Sequence, residues 1–138
     1  MRSSTVRRIE CYADTSAFIA FLDRSDTYHT QFRRLFSAPP PLITSALVVA
    51  EGHAWFLRRY DQRRAIEFLS FIEVLPRLTI RAFGVSDLAS VGALVKKYAD
   101  QKLTLADAHG LSLMRERRIT SCWSTDRHLS LSGVPLVI

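Results

Sequence analysis

The stretch IECYADTS, residues 9–16, decides the fold, because it predicts a buried strand that ends at an acid and leads into a helix. Ile9 to Ala13 is apolar and short, as expected of a strand covered on both faces, and Ser16 to Leu22 has the composition of a helix. Asp14 therefore stands at the carboxyl end of a strand, where open α/β sheets bind their ligands.

Strands and helices alternate along the rest of the chain. Further helices are predicted at Tyr28–Phe36, Ala46 to about Tyr60 with Ser45 as its N-cap, Arg63–Ile72, a helix capped by Ser86 that runs to about Tyr98, and a helix capped by Thr104 that ends near Arg117. Further strands are predicted at Pro41–Thr44, Leu78–Phe83, Ile119–Trp123 and Val134–Ile138. This order predicts an α/β fold with a central, mostly parallel sheet of about four to five strands and helices on both faces.

The composition is that of one globular domain. The chain has 138 residues, of which 48% are hydrophobic and 23% charged, so we expect a single domain over residues 1–138 with 1–8 as a polar lead. No apolar leader or membrane-length stretch is visible, which predicts a soluble, cytoplasmic protein. Cys11 and Cys122 are expected to be buried, reduced thiols. The net charge of +6 suits a polyanionic partner such as nucleic acid, although many basic proteins bind no anion.

Glu51 stands where an unpaired acid is costly. In the helix that follows Ser45, the expected inward stripe places it among the apolar residues Leu47, Ala54 and Trp55. A carboxylate there has to stay protonated or find a cation. The alternative is that Glu51 lies at the edge of the stripe and pairs with a nearby arginine, for which Arg58 and Arg59 are the candidates.

Asp107 repeats this pattern in a later helix. The positions that share its face, Gly110, Leu111 and Met114, are all small or apolar. Thr104 stands three residues before it, so a capping box, in which the acid binds the N-cap backbone, is an equally good interpretation.

Asp126 follows the predicted strand Ile119–Trp123, as Asp14 follows the first strand. Taken singly, either acid is explained as a cap or turn residue, and Ser16 is another candidate for the first cap. Together with Glu51 and Asp107 they form a set of four acids that can converge on one crevice.

Carboxylates brought together in a poorly solvated crevice repel each other by several kcal/mol, on an order-of-magnitude basis. Mg²⁺ or Mn²⁺ relieves this repulsion, because hard divalent cations take oxygen ligands. Ions held in this way activate water and stabilise charge on a phosphoryl oxygen. Acids that bind a metal, in a chain of positive net charge, predict a metal-dependent nuclease.

The motifs resemble those of PIN-domain nucleases, and within them the toxin ribonucleases of the VapC type. The similarity covers about Ile9 to Ile138, and the order and spacing of the matching segments make it fairly specific. These segments are Asp14-Thr15-Ser16, Val49-Ala50-Glu51, Leu103-Thr104-Leu105-Ala106-Asp107-Ala108 and Ser124-Thr125-Asp126-Arg127-His128.

The resemblance implies an Mg²⁺- or Mn²⁺-dependent endoribonuclease, a homodimer, and a cognate antitoxin that blocks the site. It carries the acidic metal ligands onto Asp14, Glu51, Asp107 and Asp126. It also implies supporting roles around the metal or the substrate for Ser16, Asp100 and Ser124. Leu129 departs from the aromatic residue often found there, and we expect this position to pack in the core.

Two other hypotheses keep the fold. One is a PIN-domain nuclease of RNA maturation without an antitoxin, and the other is a non-catalytic dimeric platform for a DNA-binding antitoxin. Apolar residues between Trp55 and Ile72 exceed what one core is expected to need, which favours a dimer or antitoxin interface. His128 lies close to Asp126 in sequence and is a candidate for a substrate contact, although an ordinary surface histidine is the expected interpretation.

Overall fold

The computed structural model describes residues 9–137, and its centre is a four-stranded sheet in which every strand is parallel to its neighbours. The strands are β1 (Cys11–Ala13), β2 (Leu42–Ser45), β3 (Leu78–Arg81) and β4 (Cys122–Trp123), in the order β3-β2-β1-β4. The predicted α/β class is confirmed. The sheet is wholly parallel, and β1 and β4 are neighbours, with Ala13 opposite Trp123.

The predicted final strand is wrong in its extent. Among residues 134–137, which the structure describes, only Leu136 pairs, through an isolated parallel bridge to Cys122. The end of this prediction at Ile138, like the polar lead at 1–8, lies outside the described residues.

The helices agree with the sequence pattern to within a few residues. They are α1 (Thr15–Leu22), α2 (His29–Phe36), α3 (Ala46–Arg59), α4 (Gln62–Val74), α5 (Val85–Lys97) and α6 (Leu105–Glu116), with short 3₁₀ helices at Ala99–Gln101 and Arg127–Ser132. Ser45 caps α3 by accepting the N–H of Leu47, as predicted. The predicted cap of α5 is wrong: Ser86 lies inside the first turn, and Gly84 is the N-cap, its N–H donated to Asp87.

Helices cover both faces of the sheet, as predicted for buried parallel strands. Alternate residues of β1 point to opposite sides, so Cys11 and Ala13 pack with α1–α4 while Tyr12 packs with α5 and α6. Both cysteines are free and buried. None of the helices described is long and apolar enough to span a membrane.

Most apolar residues of α3 and α4 pack within the domain, so the surplus is smaller than expected, although Leu57, Ile66 and Val74 are exposed. Phe56, Phe68 and Ile72 are buried in the core on the α1–α4 side, and Trp55 and Phe71 are packed against it. These large side chains also pack against other aromatic rings of the core, as in the contact of Phe21 with Phe71 at 4.7 Å between ring centroids.

Candidate active site

The carboxyl ends of β1 and β4 lie side by side at the base of the candidate site. The ladder between these strands continues past Ala13, where the Asp14 N–H donates to the Trp123 carbonyl at 3.0 Å. This bond brings Asp14 beside Ser124, the first residue after β4. Pairing of two strands that are 110 residues apart thus places the first acid and the last motif in the same crevice.

Two hydroxyl groups fix the carboxylate of Asp14. Ser124 Oγ donates to Asp14 Oδ2 at 3.1 Å, and Ser16 Oγ donates to the same oxygen at 3.2 Å. The two hydroxyls lie 3.2 Å apart, and Ser16 also accepts the N–H of Thr125 at 2.9 Å. Both serines that the resemblance placed near the metal are therefore in contact with Asp14.

Asp107 enters the crevice from the first turn of α6. It forms the predicted capping box, because its Oδ2 accepts the Thr104 N–H at 3.0 Å and its own N–H donates to Thr104 Oγ1 at 3.0 Å. Its side chain is only 7% exposed, and Gly110, Leu111 and Met114 on the same face are buried. The cap interpretation and the inward-facing interpretation are both correct.

Asp126 and His128 lie next to Asp107. His128 Nδ1 is 2.9 Å from Asp126 Oδ1 and 3.9 Å from Asp107 Oδ2, and the three side chains together form a group of possible metal ligands. The expectation of an ordinary surface histidine is wrong, since the ring is half-buried against two acids. The sequence signal for this contact was the position of His128 two residues after Asp126.

Glu51 lies at the edge of the buried face of α3, not in its middle. The buried residues of that helix are Val48, Gly52 and Phe56, so the predicted stripe is rotated by one position. The alternative interpretation is therefore right about the edge position but wrong about the arginine partner, because the contact in the structure is a 2.6 Å hydrogen bond from Thr15 Oγ1 to Glu51 Oε1. Thr15 follows Asp14 directly, and this bond ties Glu51 to the floor of the crevice. The sequence interpretation gave Thr15 no role.

Burial and mutual repulsion make the ionised forms of the acids in the crevice unfavourable. The pKa of Asp14 is raised to about 7, chiefly by burial and also by the nearby charges of Asp107 and Asp126, while the Thr15 N–H and the Ser124 hydroxyl lower it. Burial also raises the pKa of Asp107, with Asp126 adding to the shift. A cation in the crevice would remove both penalties.

The donor set fits a divalent cation of the Mg²⁺ or Mn²⁺ class, which takes carboxylate oxygens together with water. Asp14, Asp107 and Asp126 are coupled through their charges, and Glu51 is joined to them through Thr15. Asp100 is not brought into this group: it is exposed on the 3₁₀ helix before α6, where it accepts a hydrogen bond from Gln101 at 3.2 Å.

The comparisons with known proteins concern the family and the fold of the chain. The family model described as "PIN domain" matches residues 11–132. No curated protein matches the chain in sequence.

Two solved structures have a similar fold. VapC20 of Mycobacterium tuberculosis, described as a sarcin-ricin loop cleaving toxin, has a TM-score of 0.81 at 21% identity, covering 91% of this chain and 96% of that chain. FitAcB from Neisseria gonorrhoeae has a TM-score of 0.66 at 15% identity, covering 93% and 96% respectively. At these identities, the likeness shows the fold alone.

Proposed function

We propose that this chain, which belongs to the PIN-domain family, is an Mg²⁺- or Mn²⁺-dependent endoribonuclease that acts as the toxin of a toxin–antitoxin module. One observation carries the proposal. Acids from the ends of β1 and β4 and from the start of α6 lie close enough together that the charges of Asp107 and Asp126, added to burial, raise the pKa of Asp14 to about 7. Such an arrangement is unfavourable unless a cation binds there.

The proposed metal ligands and catalytic residues are Asp14, Glu51, Asp107 and Asp126. When bound, the ion supplies Lewis-acid stabilisation of charge on the phosphoryl oxygens and lowers the pKa of a water molecule. Asp14 and Asp107 are the buried members of this set, while Glu51 and Asp126 are partly exposed and form the side that is open to substrate.

The neighbouring side chains keep these acids in place. Ser124 and Ser16 hold Asp14 through its Oδ2. Thr15 holds Glu51, and the N–H of Thr104 holds Asp107. Fixed orientation of this kind reduces the reorganisation that binding and reaction would otherwise need. Asp100 stays in the proposal as a supporting residue on the resemblance alone.

RNA is the proposed substrate. The chain has an excess of positive charge, +6 overall, which favours approach of a polyanion despite the acidic crevice. The similar fold of a toxin described as cleaving the sarcin-ricin loop supports the same choice.

The proposed partners are a cognate antitoxin protein and a second copy of the chain. Apolar side chains exposed near one sheet edge support an interface: Ile80 on β3 is 46% exposed, and Val85 and Leu88 at the start of α5 are 92% and 55% exposed. Exposed apolar residues that lie close together are typical of protein contacts.

The test is cleavage of total cellular RNA and of a short synthetic RNA by the purified protein, with Mn²⁺, with Mg²⁺ and with EDTA. We expect cleavage only with metal, and loss of at least about a hundredfold in the Asp14→Asn variant. Glu73→Gln, which neutralises an exposed acid of α4, is the matched control and should cleave normally. Cleavage by Asp14→Asn at the wild-type rate would reject the proposal.

The role as a toxin is tested separately, by expression in cells with and without the adjacent small gene. Growth arrest that the neighbour relieves supports the toxin, whereas RNA cleavage without arrest supports a maturation nuclease. A protein that cleaves no RNA but binds promoter DNA together with its partner would instead be a non-catalytic platform for a DNA-binding antitoxin.

A further inference from the structure

His128 occupies a position that neither the fold nor the motif explains. Its ring lies on the rim of the crevice, with the side chain 38% exposed, and its Nδ1 faces oxygens of both Asp126 and Asp107. We propose that His128 is a direct ligand of the ion held by Asp107 and Asp126, and that this nitrogen makes the site select Mn²⁺ over Mg²⁺. This inference rests on the proposed function and identifies the metal that the same site prefers.

The distances around the ring suit a shared ion. The ligand atoms of Asp107, Asp126 and His128 all lie within 4.8 Å of one another. Adjacent ligands of an octahedral ion with bonds of about 2.1 Å are roughly 3.0 Å apart, and opposite ligands roughly 4.2 Å. The separation of 2.9 Å between His128 Nδ1 and Asp126 Oδ1 is close to that of adjacent ligands, and the separation of 3.9 Å to Asp107 Oδ2 lies between the adjacent and opposite values.

The ring is not needed to hold Asp126. The backbone N–H of His128 already donates to Asp126 Oδ1 at 3.0 Å, and the N–H of Asp126 donates to Ser124 Oγ at 2.9 Å. The 3₁₀ helix Arg127–Ser132, anchored by the fully buried Leu129, fixes the backbone that carries His128. With Asp126 positioned by its own turn, the imidazole nitrogen is available as a donor to an ion.

The choice of metal follows from the donor types. Mg²⁺ prefers hard oxygen ligands and keeps its water, whereas imidazole nitrogen binds the first-row transition metals more strongly. Two carboxylates and one histidine therefore favour Mn²⁺ over Mg²⁺, while a site of carboxylates alone has less reason to distinguish them.

The test measures metal binding directly, without RNA. Titration calorimetry of the metal-free protein with Mn²⁺ and with Mg²⁺ gives both dissociation constants. In His128→Ala we expect the constant for Mn²⁺ to rise at least about tenfold and the constant for Mg²⁺ to change by less than about threefold. The control is His29→Ala, which removes a half-buried histidine bonded to the Ala20 carbonyl and should change neither constant.

A spectroscopic measurement separates a ligand from a residue that only positions Asp126. Pulsed electron paramagnetic resonance of the Mn²⁺-loaded protein should show ¹⁴N coupling from one directly bound imidazole, and His128→Ala should lose it. Mn²⁺ binding without nitrogen coupling, or an unchanged ratio of the two constants in His128→Ala, would overturn the inference. In that event a protein that still cleaves RNA with Mn²⁺ or Mg²⁺ leaves the proposed function intact.

Discussion

Thr15 Oγ1 donates a 2.6 Å hydrogen bond to Glu51 Oε1, which links the first residue of α1 to the middle of α3 across 36 positions of sequence. Thr15 is buried and follows Asp14 directly, so the contact sets the distance between two of the proposed metal ligands. It also stands in place of the arginine partner that the alternative interpretation of Glu51 required. A hydroxyl donor orients the carboxylate without cancelling its charge, which leaves that charge for a cation.

Removal of this hydroxyl should weaken catalysis without unfolding the protein. Thr15→Val keeps the shape of the side chain but deletes the donor, so Glu51 loses its fixed orientation. We expect cleavage to fall by roughly 10–100-fold, as is usual when a group that orients a metal ligand is lost. Thr15→Ser retains the hydroxyl and should stay within a few-fold of wild type. Equal activity of Thr15→Val and wild type, measured with saturating Mn²⁺, would contradict the prediction.

Asp14→Asn should stabilise the metal-free protein while it abolishes cleavage. The folded pKa of Asp14 is raised to about 7 from an ordinary value of 3.8, so the folded state retains a proton that the unfolded chain releases. The contribution of this group to stability is therefore lost as the pH rises from about 4 to about 7. The amide has no proton to release and avoids this loss.

Urea unfolding in EDTA between pH 4.5 and 8 measures this effect. The free energy of unfolding of Asp14→Asn should exceed that of wild type above pH 7 by an amount of the order of 1–4 kcal/mol, and the difference should shrink towards pH 4.5. A difference that is independent of pH would show that Asp14 is not held protonated in the fold.

Metal should stabilise the wild-type protein more at high pH than at low pH. An ion competes with the proton for Asp14 and Asp107, whose pKa values are both raised by burial. At a concentration about a hundred times its dissociation constant, Mn²⁺ should add about 2.7 kcal/mol to the free energy of unfolding. Thermal melts at pH 6 and pH 8, with Mn²⁺ or EDTA, should show the larger shift at pH 8. The shift should be greatly reduced in Asp14→Asn.

The close approach of α6 to β1 should tolerate no side chain at Gly110. A Cβ there would lie 2.7 Å from Tyr12 Oη and 2.9 Å from Tyr12 Cζ, and Tyr12 is fully buried. Gly110→Ala should cost about 1–3 kcal/mol of stability. Cleavage should fall as well, because the same helix carries Asp107 three residues earlier.

Two further variants test the cause of this cost. The Tyr12 hydroxyl has no hydrogen-bond partner among residues 9–137, so Tyr12→Phe alone should cost little. Combined with Gly110→Ala, it removes the nearest atom and should restore part of the lost stability. Gly92→Ala in α5, where no atom lies within 4 Å of the new Cβ, should instead gain up to about 1 kcal/mol. Equal costs at Gly110 and Gly92 would contradict this account.

Helices and strands could be predicted from the sequence where their ends depend on contacts between residues that are close together in the chain. Ser45 and Thr104 cap α3 and α6 as expected, because an N-cap is a contact within one turn of the helix. Ser86 failed as a cap because Gly84, two residues earlier, begins the helix with Asp87 as its partner. The predicted final strand reduced to a single bridge at Leu136, since strand length depends on a neighbour that the local sequence does not contain.

The sequence by itself determined the order of strands and helices, and therefore that Asp14 and Asp126 follow strands and that Asp107 faces the core from a helix start. These are properties of spacing and polarity along the chain. Only the tertiary structure decided which groups meet. Pairing of β1 with β4 places Ser124 in contact with Asp14. The rotation of α3 places Glu51 within hydrogen-bond distance of Thr15. The 3₁₀ helix that begins at Arg127 places the ring of His128 beside two acids. Such contacts depend on strand register and helix rotation, which are set by packing across the whole domain.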